Sequence, residues 1–173
     1  MILVLGLGNI VMADDGIGVH AVRALRQQDL PEGVVALEVG TAILDALPEI
    51  EQARRILVLD ALRAGKSPGT VYRIPYEDCR VKPFLASLHG FDLSRVLALA
   101  GRQGEPPQVT VIGVEPARIE WSLELSPEVA FSLGAVVDAA QREIRDMQER
   151  AGTETIRLQP FDTTGGETTC RRN

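Results

Sequence analysis

The sequence predicts a single α/β domain in which a mostly parallel sheet carries helices on both faces. Apolar runs alternate along the chain with segments of helical period, the order that βαβ units produce. Runs such as Ile2 to Leu7 and Ile56 to Leu59 are continuously apolar, as expected for strands covered on two sides. At 173 residues with 45% hydrophobic content, the chain can bury one substantial core and is short for two domains.

The elements follow in order. Ile2 to Leu7 reads as a buried first strand ending in Gly6-Leu7-Gly8-Asn9, where the backbone must turn sharply. In Asp15 to Gln28, Ile17, Ala21, Ala24 and Leu25 share one helical face, while His20, Arg23 and Gln27 share a polar one. Val34 to Val39 is a second strand, followed by a short helical stretch through Leu44, Leu47 and Ile50. Arg55 to Asp60 is the clearest strand, opening on a charge and closing on an acid. Ser67-Pro68-Gly69-Thr70 is turn chemistry, so Val71 to Ile74 is expected as an antiparallel strand. Residues 75 to 91 carry few periodic signals. Leu93, Val96, Leu97 and Ala100 mark a helix ending near Gly101, and Val109 to Val114 is the last strand. Ser126-Pro127-Glu128 combines a capping hydroxyl, a first-turn proline and an acid. The stripe Val129, Leu133, Val136, Ala140, Ile144 and Met147 then describes a long helix lying on the sheet. The domain spans 1–157, and the polar remainder, 158–173, is expected to be disordered because it cannot repay its ordering entropy. No internal repeat and no second hydrophobic core are evident.

Charge and cysteine usage narrow the function classes. Twenty-four acidic against eighteen basic residues give a net charge of −6, which offers no footprint for nucleic acid or an anionic membrane. Two cysteines, Cys79 and Cys170, are too few for a disulfide scaffold or a four-thiolate zinc site. The first residues lack a cationic lead, and their apolar run is short of a membrane span, so a cytoplasmic protein is expected.

Each candidate site has a plain structural reading beside the chemical one. Gly6-Leu7-Gly8-Asn9-Ile10-Val11 imitates a dinucleotide fingerprint, but Val11 stands where a third small residue is needed. Asp14 and Asp15 would also repel a pyrophosphate, so a nucleotide-dependent oxidoreductase is a remote alternative. Asp14 is expected to cap the first helix, and His20 to be a solvated surface residue. Asp15 lies on the loop after the first strand, at the carboxyl edge where open α/β sheets bind ligands, and Asp60 ends another strand there. His89 sits in the loop Ser87-Leu88-His89-Gly90-Phe91. Two carboxylates and one imidazole brought to one edge would form a three-donor site with open positions for nickel or zinc. No Gly-x-Ser-x-Gly elbow or His-Glu-x-x-His motif is present, and neither cysteine has an activating context.

Gly8-Asn9-Ile10-Val11-Met12-Ala13-Asp14-Asp15-Gly16-Ile17-Gly18 resembles the signature of the endopeptidases that mature nickel-iron hydrogenases. Gly40-Thr41-Ala42, Leu59-Asp60-Ala61, Pro68-Gly69-Thr70, Ser87 with His89, and Gly113-Val114-Glu115-Pro116 follow in the family's order. The resemblance covers residues 1 to about 150. It implies a single domain with a twisted sheet between helices, and Asp15, Asp60 and His89 as metal-binding residues, with Asp15 and Asp60 as the catalytic pair. The implied activity is an aspartic-type endopeptidase that removes the C-terminal extension from a nickel-loaded precursor of a hydrogenase large subunit. The nickel would arrive with that precursor. A nickel-binding assembly chaperone that cuts nothing is the rival reading of the same three donors.

Overall fold

A computed structural model describes residues 1–81, 86–87, 90–101 and 106–155. Its strands are β1 (Ile2–Leu7), β2 (Val34–Gly40), β3 (Arg55–Arg63), β4 (Val71–Pro75), β5 (Ala86–Ser87) and β6 (Gln108–Val114). Its helices are α1 (Ile17–Leu25), α2 (Leu47–Gln52), α3 (Tyr76–Val81), α4 (Gly90–Ala100) and α5 (Pro127–Thr155). Single 3-10 turns, Ala13–Gly16 and Ile43–Ala46, lead into α1 and α2.

The sheet has the order β2-β1-β3-β6-β4, with β5 pairing to β3 off that path. β1, β2, β3 and β6 are mutually parallel, while β4 returns antiparallel to β6, as the turn at Ser67 to Thr70 predicts. From β1 the chain moves to β2 on one side and then crosses to β3 on the other. The strand order therefore reverses between β1 and β3, and at their carboxyl ends this opens the crevice that doubly wound sheets use for ligands.

Strand alternation divides the apolar side chains between two layers. On one face Val4, Leu57, Leu59 and Ala61 pack against Ile17, Ala21, Val22 and Leu25 of α1 and the predicted stripe of α5. On the other, Leu3, Leu5, Leu7, Ile56 and Val58 meet Ile50 of α2, Leu93, Val96 and Ala100 of α4, and Tyr76. Helices cover both faces as expected, so the apolar core of the one domain lies in two layers, one on each side of the sheet. Ser126 caps α5 as anticipated, its hydroxyl accepting the Val129 N–H at 3.4 Å.

Several boundaries differ from expectation. β3 does not stop at Asp60 but runs on to Arg63. Asp60 and Ala61 are still paired with Gly113 and Val114 of β6, and β5 takes up Leu62 and Arg63, so a partner exists on each side to prolong the strand. α3 and β5 occupy the stretch that lacked periodic signals. Leu44, placed by its spacing on a buried face, is 58% exposed, whereas Ile43 is buried. The 3-10 turn closes in three residues rather than 3.6, which shifts the buried phase by one position. The segment 158–173 lies outside the described residues.

Candidate active site

The loop after β1 is shaped by close backbone approach. Gly8 has φ +118°, and a Cβ there would sit 1.8 Å from the Asp15 carbonyl oxygen, so only glycine fits. A Cβ on Gly18 would lie 2.0 Å from the Leu59 carbonyl oxygen and 2.4 Å from that of Leu7. These absent side chains let the 3-10 turn and the start of α1 press onto β1 and β3 together. Two glycines of the signature are thus packing requirements, and they draw the residue before Asp60 toward the turn that carries Asp15.

Both acids are buried: Asp15 is 5% exposed and Asp60 1%. The Asp15 carboxylate accepts the Asn9 N–H at 2.8 Å through Oδ2, and Asn9 Oδ1 in turn accepts the Val11 N–H at 3.2 Å. Asp60 Oδ1 accepts the N–H of the following Ala61 at 2.8 Å. By strand alternation Asp60 lies on the face of Ile56 and Val58, the side covered by α2 and α4. The 3-10 turn Ala13–Gly16 packs against β3, so the structure brings Asp15 and Asp60 to the same carboxyl edge, across the switch point. Sequence spacing did not reveal that convergence. His89 lies outside the described residues. Among the described residues no cluster of three or more His, Cys, Asp or Glu side chains is placed to hold a metal ion.

Asp14 does not cap α1. That helix starts after Gly16 with no side-chain cap, and the Asp14 carboxylate turns instead toward a distant segment. Fully buried, it accepts the N–H groups of Ala117 at 2.8 Å, Arg118 at 2.9 Å and Ser126 at 2.6 Å. The reason is geometric: Gly16 holds the capping position of α1, and Asp14, two residues upstream inside the 3-10 turn, stands short of it. The same segment pairs with the loop directly, Met12 bridging to Ser122, with Ala13 N–H to Ser122 O at 2.9 Å and Ser122 N–H to Val11 O at 3.1 Å. These bonds hold Ala13 at φ 49°, a left-handed conformation that a non-glycine residue adopts only under constraint.

Glu115 was visible in the sequence only as part of a motif; the structure gives it a task. Its Oε2 accepts the N–H of Ala64 at 2.8 Å, the N–H of Lys66 at 3.2 Å and the Tyr72 hydroxyl at 2.7 Å, which fixes the turn following β3. Burial works to raise its carboxyl, but the Tyr72 hydroxyl and the backbone donors of that turn outweigh it and hold the group below the usual carboxylate range. Burial and this same bond push the Tyr72 hydroxyl up to about 12. No single-sequence signal marks such a role, because the partners lie 43 to 51 residues away.

His20 is not the solvated residue expected. It is half-buried with Nε2 enclosed and without a hydrogen-bond partner, and burial, aided by Arg23, lowers its pKa. A groove of about 300 Å³ opens between the loops after β1 and β2, lined by Gly8, Asn9, Ile10, Gly40 and Thr41 and, from α1, by Val19 and Arg23. It borders the backbone that carries the Asp15 contact. No helix among the described residues is long and apolar enough to cross a membrane.

Comparison with known proteins agrees with this fold. The family model HycI, hydrogenase maturation protease, matches residues 19–143. The hydrogenase expression/formation protein HupD of Rhodobacter capsulatus is 36% identical over 151 residues, covering 83% of this chain and 71% of its own. The hydrogenase 2 maturation protease of Escherichia coli strain K12 is 33% identical over 162 residues, covering 90% of this chain and 94% of its own. Among solved structures, the hydrogenase maturating endopeptidase HybD from E. coli superposes with a TM-score of 0.76 at 31% identity, covering 84% of this chain and 93% of that one. The HybD maturation protease from Thermococcus kodakarensis gives a TM-score of 0.69 at 28% identity, over 83% and 98% of the two chains. The doubly wound sheet, the glycine-shaped turn at the switch point and the breadth of these matches lead to one conclusion: the chain belongs to the hydrogenase maturation protease family.

Proposed function

We propose that this chain cuts the C-terminal extension from a nickel-loaded hydrogenase large-subunit precursor in the cytoplasm, with Asp15, Asp60 and His89 forming its site. The observation that carries this reading is the pair of buried carboxylates, Asp15 and Asp60, drawn to one edge across the β1/β3 switch point. Support for His89 comes from its described neighbours. Ser87 pairs with Leu62, two residues beyond Asp60, and Gly90 begins α4 on the face to which Asp60 belongs. Two carboxylates and one imidazole suit a borderline divalent ion and leave positions for the precursor's own thiolates. Nickel is then cargo that identifies a finished precursor and fixes the scissile peptide beside the acids.

In hydrolysis one carboxylate accepts a proton from water as its oxygen attacks the peptide carbonyl, and the C–N bond breaks as the leaving amine takes up a proton. The aspartic-type label is a family classification and does not by itself imply a pepsin-like shared-proton dyad.

Mass spectrometry of the precursor, incubated with the chain with and without nickel, tests the reading. Wild type is expected to shorten the nickel-loaded form by a C-terminal peptide and to leave the nickel-free form intact. Asp60→Asn and His89→Ala are expected to fold normally and lose at least about 100-fold in rate, the scale of a missing acid-base or positioning group. Unchanged precursor mass with wild type would make the chain a chaperone, and normal cleavage by both variants would remove the residues from the site.

A further inference from the structure

The segment between β6 and α5 carries two of the most exposed large apolar side chains in the described structure, Trp121 at 82% and Leu123 at 69%. Exposure of single apolar residues is ordinary. What distinguishes these two is their mount. Between them lies Ser122, whose N–H and C=O bond to Val11 and Ala13 on the loop that leads into Asp15. Before and after them, Ala117, Arg118 and Ser126 are all held by the buried Asp14 carboxylate, one residue from Asp15. Ser122 also closes a local turn by accepting the Glu124 N–H at 3.0 Å. A tryptophan and a leucine are thus displayed on a strap whose backbone is fastened on both sides, so ordering them on contact costs little backbone entropy. Nothing in the fold uses the two side chains.

We infer that Trp121 and Leu123 form a docking surface for the substrate protein itself, engaging an apolar patch on the folded body of the precursor rather than the peptide to be removed. This rests on the function proposed above. The occupant follows from continuity with the site: Ser122 bonds the strap to the loop that leads into Asp15, so a protein seated at that loop has the strap at its flank. The local charges argue against an acidic or basic partner patch, since Arg118 is already paired with Glu120 at 2.9 Å. A buried aromatic anchor beside a rigid frame is the usual form of an energetically dominant contact.

The test uses the full chain carrying Asp60→Asn, so that binding is read without cleavage, with and without the double substitution Trp121→Ser/Leu123→Ser. Leu99→Ser, an exposed leucine on α4, is the control. Titration against purified nickel-loaded precursor is expected to show Kd weakened about 10-fold or more by the double substitution and unchanged by the control. In the otherwise wild-type chain the same double substitution is expected to raise KM about 10-fold at unaltered kcat, because exposed residues on a fixed strap leave the reacting groups in place. Equal Kd and KM would overturn the proposal. So would a change confined to self-association by sedimentation, which would make the patch an interface between two copies. If wild type binds through the strap yet never shortens the precursor, the docking surface stands and the protease reading fails; if it cuts without needing the strap, the reverse holds.

Discussion

The two edges of the sheet invite opposite conclusions from cavity size and from chemistry. At the amino edge lies the roomier cavity, about 440 Å³, lined by Glu51, Gln52, Arg54, Arg55, Pro106 and Gln108. At the carboxyl edge the groove is about 300 Å³, yet that edge holds Asp14, Asp15, Asp60 and Glu115, all buried and all receiving N–H donors. Enclosed carboxylates held by fixed backbone donors are preorganised groups, whereas Glu51, Gln52, Arg54 and Gln108 around the amino-edge cavity are exposed to solvent and only Arg55 among its charged side chains is buried. Room for a ligand is therefore the weaker guide here, and the positions of strand ends and switch point the stronger one.

Four substitutions sharpen this contrast. The largest stability effect belongs to Asp14, whose carboxylate takes three N–H donors at once. Asp14→Asn puts an amide donor against N–H groups and is expected to cost about 3 kcal/mol, since bonds to a charged acceptor are the strong ones. For a domain of this size that lowers Tm by about 6–12 °C in calorimetry. A shift under about 2 °C would show that the strap is held by other means.

The second effect is pH-dependent. Because the folded structure holds the Glu115 carboxyl below its ordinary range, folding favours the ionised form. Its stabilisation is complete above the ordinary carboxylate range and disappears as pH falls through the lowered folded value. Glu115→Gln is therefore expected to be less stable than wild type in urea at neutral pH, with the gap closing on acidification. A gap that stayed constant over the same range would remove ionisation from the account. The smallest effect is expected at the amino edge. Gln52→Ala and Arg54→Ala should leave precursor processing within about twofold of wild type, the usual size for surface changes. A large loss there would reverse the ranking of the two edges.

How much of this was legible beforehand follows from the range of the forces involved. β1, β2, β6, the stripe of α5 and the antiparallel β4 could be read because hydrophobic period, capping residues and turn chemistry are local. The end of β3 could not, because its last residues are strands through pairing with β6 and β5. Tyr76–Val81 lacks a periodic stripe, and the phase error at Leu44 came from a turn of different pitch. At the site, Asp15 and Asp60 were singled out by their places near strand ends, while their convergence depends on glycine packing across strands. Asp14 was misassigned for the same reason: its three donors are 103 to 112 residues away.

That span has a temporal meaning. The turn bearing Asp14 and Asp15 precedes in the chain, by 103 to 112 residues, the three N–H groups that secure Asp14. A nascent chain still short of Ser126 lacks the bond to its N–H, and contacts of such long sequence separation form late and slowly in folding. The turn that carries Asp15 is thus braced only once the chain through Ser126 has come into place, so its final shape depends on the assembled sheet and cannot form from the first strand and helix alone.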